Sequence, residues 1–299
     1  MQQLKVAIIT EKLGTKAASS STVIADEAIK RGHKVFEFEK EQLRFEEGKL
    51  LANAISYPER KATEINLEGI DVILFRPNPP VNMAYLTCLF LLRTIEDKVL
   101  ILNKPSSVIN FPEKIFPLYM ANFMPPTLIT ADKEQIKKFA AKHGDVILKP
   151  LYDFGGTGIK KITASDDFEL EGTTPIVVQK FIPEVAQGDK RILFINYKYH
   201  SAFKRTPPQG SIIANIVQGG ELSATDLTAK EKLICQKLEP MLKENDIPIC
   251  GIDVINDYVT EINITSPTGF KWAKEFYNLQ PETELWAAIE ARIQLKTGS

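Results

Sequence analysis

The chain has 299 residues, of which 44% are hydrophobic and 25% charged, a composition typical of a globular protein with room for two or three domains. The formal net charge of −1 gives no basic surface that would favour nucleic acid as a partner. The longest apolar run, from Tyr85 to Leu92, is too short to cross a bilayer, so no membrane contact is expected. Three cysteines without metal or redox spacing, and an N-terminus without a signal-peptide layout, predict a cytoplasmic protein.

Short β-rich runs alternate with helical patterns in the first third of the chain. This order predicts a doubly wound α/β domain. Ligands of such sheets gather beyond the carboxyl ends of the strands, where Arg76 and Asn103 are expected. A serine-rich loop at Ser19–Thr22 is expected to lead into a helix that Gly32 ends, and strands are predicted at Lys5–Thr10, Lys34–Glu39, Asp71–Pro77 and Val99–Pro105.

A second region opens near Asn110, which is a favourable N-cap residue. Glu113, three residues later, completes a pattern close to a capping box, so a helix is expected to begin here. Lys114 would then lie in the first helical turn, where the helix dipole disfavours a positive charge.

The segment Asp145–Ile162 predicts two short strands with a glycine-rich loop between them. Gly155 and Gly156 would let backbone amides approach phosphate oxygens, and Lys149 at the end of the first strand would add a positive charge. The pattern is not the Walker motif, which requires Gly-Lys-Ser/Thr running into a helix. A hairpin turn with a surface lysine accounts for the same residues equally well.

The next predicted strand, within Ile176–Glu184, ends in a mixture of apolar and polar residues. Such a segment is suited to contact an adenine ring, although an ordinary strand and turn is the favoured interpretation from these residues alone. Asp189, Lys190 and Arg191 fit a solvated charge run as well as a binding site.

Glu261 and Asn263 stand two residues apart in a predicted strand, so they share one face while Ile262 and Ile264 point into the core. Asp253, in the preceding strand, lies likewise opposite the apolar face of that strand. Two carboxylates and an amide carbonyl form a hard-oxygen set suited to Mg²⁺. The alternative is a pair of exposed acidic positions with nothing bound.

The connection between these two strands decides whether the carboxylates can meet. A two-residue turn at Asn256-Asp257 would pair Asp253 with Thr260 and turn Glu261 to the other face. An odd-length loop or a β-bulge near 256–258 is therefore predicted, despite the favourable signal for a two-residue turn.

Taken together, these motifs resemble the bacterial glutathione synthetases, a family of the ATP-grasp superfamily, and the similarity covers nearly the whole chain. The stretches that carry it are NKPSSV, EKIF, DVILKPLYDFGG, QKFIPEVAQGDKRIL, GGEL and GIDVINDYVTEINITSPTG. The resemblance implies a doubly wound α/β (pre-ATP-grasp) domain at 1–112, followed by a two-lobed α+β ATP-grasp fold. The central lobe, with the glycine-rich loop, would span 113–195, and the C-terminal lobe, with the metal site, would span 196–299.

The resemblance also implies roles for the candidate residues. Arg191 and Arg205 would be catalytic residues that steady the reacting phosphate and the acyl intermediate. An Mg²⁺ or Mn²⁺ ion would be held by Asp253, Glu261 and Asn263. The residues assigned to ATP are Lys114, Lys149, Gly155, Gly156, Gln179, Lys180, Ile182, Asp189 and Asn215. Those assigned to the substrate are Arg76, Ser266, Pro267 and Thr268.

The implied reaction is the ATP-dependent ligation of γ-glutamylcysteine and glycine to glutathione through an acyl phosphate, with release of ADP and phosphate. A homo-oligomer, either a dimer or a tetramer, is the habit of the family. The sequence departs from the family pattern at Pro77, Ile213, Ala214 and Lys271, all expected near the acid or amine substrate. Two alternatives therefore stay open: a ligase of the same mechanism with a different acid or amine, and a nucleotide-binding protein without ligase activity. The intact ATP and metal residues speak against the second.

Overall fold

The computed structural model describes residues 2–14, 19–153, 155–170, 172–211, 214 and 219–297. In this part of the chain, three β-sheets of seven, four and five strands follow one another in sequence order. None of the helices in the described part combines the length and the apolar character needed to span a bilayer.

The first sheet joins parallel strands to an antiparallel extension. Its strands are β1 (Lys5–Ile9), β2 (Lys34–Phe38), β3 (Leu43–Glu46), β4 (Lys49–Tyr57), β5 (Ala62–Asn66), β6 (Val72–Phe75) and β7 (Leu100–Leu102). The strand order is β3-β4-β2-β1-β6-β7, with β5 paired to β4, and β2, β1, β6 and β7 run parallel. The helices of this region are α1 (Ser20–Lys30), α2 (Met83–Arg93) and α3 (Pro105–Asn110).

Strand β1 is apolar from Val6 to Ile9 because helices cover both faces of the sheet. Val6 and Ile8 belong to the core that contains residues of α1, whereas Ala7 and Ile9 belong to the core that contains residues of α2. A strand buried on both sides reads as a continuous apolar run, as expected for a parallel sheet. The doubly wound domain predicted from the sequence is therefore present.

Helix α1 begins earlier than the sequence analysis predicts. Ser19 is its N-cap, and the Ser19 hydroxyl accepts a hydrogen bond of 3.1 Å from the backbone N–H of Thr22. Most of the serine-rich segment thus forms the first helical turn, and the prediction of a loop there is wrong.

The second sheet is antiparallel and carries one helix. Its strands are β8 (Thr127–Thr130), β9 (Val146–Pro150), β10 (Lys160–Ile162) and β11 (Ile176–Lys180), in the order β10-β9-β11-β8. Helix α4 (Lys133–His143) packs Ile136 and Ala140 into the same small core as Leu148 and Val178.

The third sheet has the order β14-β13-β12-β15-β16 and is antiparallel throughout. Its strands are β12 (Asp189–Ile195), β13 (Lys198–Thr206), β14 (Glu221–Ala224), β15 (Ile249–Ile255) and β16 (Tyr258–Asn263). The helices here are α5 (Ala229–Glu244), α6 (Phe270–Tyr277) and α7 (Pro281–Thr297). Short 3₁₀ segments occur at Lys40–Gln42, Leu67–Gly69, Phe116–Phe123 and Pro183–Gln187.

Strand β12 corrects one of the predicted boundaries. A division between 195 and 196 assigns this strand to the central lobe, but β12 pairs with β13 and β15 of the third sheet. A division that follows the sheets therefore lies before Asp189. The three-part organisation otherwise stays a prediction.

The helix start predicted at Asn110 is wrong. Asn110 is the last residue of α3, which begins at Pro105, a residue suited to the first position of a helix. Glu113 and Lys114 lie in a turn that follows this helix. Lys114 therefore does not oppose a helix dipole, and Glu113 has a different role, described below.

The hairpin between β15 and β16 has both a two-residue turn and a bulge. Asn256 and Asp257 form the turn with φ of 48° and 62°, and Ile255 pairs with Tyr258. The register then shifts, because Val254 pairs with Val259 but Asp253 pairs with Glu261. The predicted bulge is confirmed, although it lies at Thr260 and not at 256–258. It brings the two carboxylates to opposite positions on one face.

Asn103 fastens the first sheet to the third. Its side-chain N–H groups donate to the carbonyl oxygens of Ile249 at 2.7 Å and of Ile264 at 2.6 Å. Its side-chain oxygen accepts from the backbone N–H of Ile249 at 3.1 Å. The sequence places this buried amide where a ligand is expected, but its hydrogen bonds are structural.

Candidate active site

A cleft that opens to solvent lies between the second and third sheets. Strands β9 and β11 provide one wall, and β12, β13, β15 and β16 provide the other. Thirteen of the residues predicted from the sequence line it: Lys114, Lys149, Gly155, Gly156, Gln179, Lys180, Ile182, Asp189, Arg191, Arg205, Asp253, Glu261 and Asn263. These residues come from segments far apart in the chain, so their convergence is a property of the fold.

Two arginines and two aspartates form a buried network on the floor of the cleft. Arg191 donates to both carboxylate oxygens of Asp253, from Nε at 2.5 Å and from Nη2 at 3.1 Å. Arg205 binds both oxygens of Asp189 at 2.6 Å, and its Nη2 also lies 3.0 Å from Oδ1 of Asp253. Such two-point contacts fix the orientation of a guanidinium group. The reading of Asp189 and Arg191 as a solvated charge run is therefore wrong.

Asp253 stays ionised in this network. Burial acts to raise the pKa of its carboxyl group, but the guanidinium groups of Arg191 and Arg205 outweigh burial and hold the pKa well below its ordinary value. A permanent negative charge therefore lies between two permanent positive charges. The cleft floor carries its charges in a preorganised arrangement.

The predicted metal ligands share one face at this floor. Asp253 is paired with Glu261 across the two strands, and the side-chain N–H of Asn263 lies 3.4 Å from Oδ2 of Asp253. Glu261 is partly exposed to the cleft, and its Oε1 lies 3.5 Å from Nζ of Lys114. Among the described residues, no cluster of three or more His, Cys, Asp or Glu side chains is placed to hold a metal. A metal here would use the mixed set of two carboxylates and one amide.

Lys114 and Lys149 bring two further cations to the cleft. Nζ of Lys114 donates to the backbone carbonyl of Asp153 at 2.5 Å, next to the glycine-rich loop. Nζ of Lys149 donates to the side-chain oxygen of Gln179 at 2.8 Å, and Gln179 in turn donates to Thr127 at 3.1 Å. Burial lowers the pKa of Lys149. Lys149 is thus a partly buried cation that faces the cleft, and the alternative of a surface lysine in a hairpin is excluded.

Glu113 has a structural role that is not among those expected from the sequence. Its Oε1 accepts hydrogen bonds from the backbone N–H groups of Ile264 at 3.2 Å and Thr265 at 3.1 Å, and from the Thr265 hydroxyl at 2.6 Å. Burial raises the pKa of the Glu113 carboxyl group. Glu113 therefore fastens the segment after β16 to the turn that carries Lys114. The position of an acidic residue beside Lys114 was the only signal in the sequence.

The predicted substrate residues lie beside this floor, at the carboxyl end of β6. The buried Arg76 donates from Nε to the Ser21 hydroxyl at 3.1 Å and from Nη2 to the carbonyl of Pro267 at 2.9 Å. The Ser266 hydroxyl donates to the carbonyl of Pro77 at 2.8 Å. Burial lowers the pKa of Arg76 to about 10.

The four substrate candidates are therefore close together, with Thr268 exposed in the same segment. Of the positions that depart from the family pattern, Ala214 is buried and lines the cleft, and Lys271 is exposed in α6. Asn215, assigned to ATP, and Ile213 lie outside the described residues.

Comparison with known protein families identifies both parts of the chain. A model of the N-terminal domain of prokaryotic glutathione synthetase matches residues 4–108, and a model of the ATP-grasp domain of the same enzyme matches residues 113–278. The chain belongs to the prokaryotic glutathione synthetase family. The family expected from the sequence motifs is therefore confirmed.

Relatives within the glutathione synthetase family align over almost the whole chain. A glutathione synthetase of Agrobacterium fabrum is 39% identical over 92% of this chain and 92% of its own length. A glutathione synthetase of Rhodopseudomonas palustris is 34% identical over 97% of this chain and 99% of its own length.

Solved structures of more distant proteins share the fold. A D-cycloserine synthetase superposes with a TM-score of 0.66 at 11% identity, covering 96% of this chain and 99% of its own. A RiPP-associated ATP-grasp ligase of Chryseobacterium gregarium, solved with ADP and a leader and core peptide, gives a TM-score of 0.64 at 19% identity, covering 98% of this chain and 96% of its own. At these identities the likeness shows the ATP-grasp fold and nothing more specific.

Proposed function

We propose that this protein is an ATP-dependent carboxylate–amine ligase that joins γ-glutamylcysteine to glycine and releases glutathione, ADP and phosphate. The observation that carries the proposal is the convergence of four cations on one cleft in a chain of this family: Lys114, Lys149, Arg191 and Arg205. Phosphoryl transfer requires positioning and charge neutralisation more than covalent help from the protein.

The reaction begins with activation of a poor electrophile. The carboxylate of γ-glutamylcysteine accepts the γ-phosphoryl group of ATP, the bond to the β-phosphate oxygen breaks, and ADP leaves. The amine of glycine then attacks the acyl phosphate, loses a proton, and inorganic phosphate departs. Arg191 and Arg205 would stabilise the charge on the transferred group, because their acidic partners hold them in fixed orientations.

Lys114 and Lys149 would both contact the phosphates, since both line the cleft. Gly155 and Gly156 would cover the phosphates, since both have positive φ and lie between Lys149 and β10. The remaining ATP contacts are proposed for Gln179, Lys180, Ile182, Asp189 and Asn215.

The donors at the cleft floor fit a hard divalent cation. Asp253, Glu261 and Asn263 supply oxygen ligands on one face, which suits Mg²⁺ or Mn²⁺ bound together with phosphate oxygens. When bound there, such an ion would neutralise phosphate charge. The protein's own part is to present these side chains in register through the bulge at Thr260.

The peptide substrate is proposed to bind where Arg76 meets the segment Ser266–Thr268. Arg76 forms no ion pair with a carboxylate among the described residues, which is costly for a buried arginine. A carboxylate of the substrate would supply the missing charge. We also propose a homo-oligomer, a dimer or a tetramer, which light scattering can measure.

Release of phosphate tests the proposal directly. Purified protein is assayed with ATP, Mg²⁺ and γ-glutamylcysteine against a panel of amines that includes glycine, and each substrate is omitted in turn. The expected result is phosphate release that requires all components and is fastest with glycine. Turnover with another acid–amine pair, and none with γ-glutamylcysteine and glycine at millimolar levels, would overturn it.

A further inference from the structure

The side chain of Arg191 lies against a glycine in the neighbouring strand. Gly251 is in β15, two residues before Asp253 and therefore on the same face. A Cβ built on Gly251 would lie 3.2 Å from Cδ of Arg191 and 3.4 Å from its Nη1. It would also lie 3.2 Å from Cβ of Pro267. These contacts are at or below the short end of ordinary van der Waals separations, so the space above Gly251 is already filled.

The register of the sheet explains why the arginine needs this space. Arg191 is paired with Asp253, and Leu193 is paired with Gly251. Nε and Nη2 of Arg191 both bind Asp253. The stem of Arg191 and its remaining nitrogen therefore lie towards Gly251. A side chain at that position would push the guanidinium group off Asp253, or push Pro267 away.

The requirement at this position is for space and not for an unusual backbone conformation. Gly251 is buried in the middle of an extended strand, and its φ does not lie in the left-handed region. Alanine can adopt this backbone without strain. Glycine weakens a strand, and its presence inside one marks a close approach of another group.

We propose that Gly251 is a positioning residue that seats Arg191 between Asp253 and Pro267. This proposal rests on the proposed function, because Arg191 acts on the phosphoryl group and Pro267 belongs to the substrate segment. The close packing fixes the distance between these two parts of the site. Gly251 itself touches neither substrate.

The substitution Gly251→Ala tests whether Gly251 positions Arg191, and Gly69→Ala is the matched control. Gly69 also has no positive φ, and a Cβ there would meet nothing within 4 Å. We expect Gly251→Ala to lower kcat about ten-fold or more, because small displacements of a positioning group are costly to the rate. The Kd for ATP, measured by calorimetry, should change by a clearly smaller factor than kcat, since the neighbours of the added methyl group, Arg191 and Pro267, are not among the residues assigned to ATP binding. Gly69→Ala should match the wild type in both.

A thermodynamic cycle shows whether the effect passes through Arg191. Thermal unfolding is compared for Gly251→Ala, Arg191→Ala and the double variant. We expect Gly251→Ala to destabilise the wild type clearly and the Arg191→Ala protein much less, because the colliding side chain is then absent. If Gly251→Ala alone does not fold, the double variant should fold. A double variant that fails to fold while Arg191→Ala alone folds would show that the strand itself requires glycine, and the proposal would be wrong.

Three other results would overturn the proposal. The first is wild-type kcat in Gly251→Ala, the second is a loss of ATP affinity in proportion to the loss of rate, and the third is equal destabilisation with and without Arg191. Failure of the proposed function is recognised separately. In that case the wild type and Gly69→Ala would release no phosphate with γ-glutamylcysteine and glycine. The unfolding cycle would still measure the coupling between position 251 and Arg191.

Discussion

Replacing Asn103 with alanine should weaken the junction between the first and third sheets. The substitution removes three hydrogen bonds to buried backbone groups, at 2.7, 2.6 and 3.1 Å. At a net value of roughly 1 kcal/mol for each bond, the free energy of unfolding should fall by about 3 kcal/mol. The decrease is larger if water cannot reach the backbone groups of Ile249 and Ile264 that lose their partners. The stability of a protein is typically about 5–15 kcal/mol, so this single amide carries a large share of it.

Urea unfolding of the wild type and variants measures this loss. Asn103→Asp keeps the size and the acceptor of the side chain but presents a carboxylate to two carbonyl oxygens, so it should destabilise at least as much as alanine. Asn66→Ala serves as the control, because Asn66 makes one exposed hydrogen bond, to the N–H of Glu68 at 3.1 Å, and should cost about 1 kcal/mol or less. A loss below about 1 kcal/mol in Asn103→Ala would refute the reasoning, since three buried groups cannot lose their partners so cheaply.

Three further substitutions test the charges of the site and of the fold. Glu261→Gln removes one of the two carboxylates proposed for the metal, so phosphate release at saturating Mg²⁺ should fall about 100-fold or more, with a smaller effect on ATP affinity. Near-normal turnover would show that Glu261 is not a metal ligand. Lys149→Met removes a charge but keeps an apolar side chain, so the Kd for ATP in calorimetry should rise about ten-fold or more, and an unchanged Kd would argue against phosphate contact. Burial acts to raise the pKa of Glu27, but Arg31 and Lys30 outweigh it and hold the pKa below its ordinary value. The stability that the Glu27 carboxylate adds is therefore present above the ordinary carboxyl pKa and lost as pH falls through the lower folded value. In urea titrations, Glu27→Gln should be less stable than wild type at neutral pH, and the difference should shrink as pH falls through the lowered carboxyl pKa; a difference that grows in acid would contradict this sign.

The shared face of Asp253, Glu261 and Asn263 could be predicted from the sequence because it depends on a local rule. Side chains two residues apart in a strand share a face, and the alternation of Glu261 and Asn263 with buried isoleucines is visible in the letters. The need for a bulge followed from the same rule, applied to Asp253 and the turn. The position of the bulge did not follow, because Thr260 and residues 256–258 satisfy the register equally well. The Thr260 hydroxyl donates to the carbonyl of Asp253 at 3.2 Å, a contact that exists only after folding.

The roles of Glu113 and Asn103 could not be predicted because their partners are distant in the chain. Glu113 accepts from Thr265, which lies 152 residues later, and Asn103 contacts Ile249, which lies 146 residues later. Local patterns gave both residues plausible but incorrect roles, as part of a capping box and as a candidate ligand contact. A buried polar side chain is defined by the group that satisfies it, and a single sequence does not show that group.

The segment after β16 contacts both the proposed peptide site and the residues proposed for phosphoryl transfer. Glu113, next to Lys114, holds its beginning through Thr265, and Arg76 holds the carbonyl of Pro267. The same Pro267 packs over Gly251 beside Arg191. One short segment is therefore held by Glu113, the neighbour of a lysine proposed for the phosphates, and by Arg76, proposed for the peptide. It also packs beside Arg191, which is proposed for phosphoryl transfer. A change in the position of the peptide must then displace groups that act on the phosphoryl group, so a poorly fitting acid substrate should reduce kcat as well as raise KM.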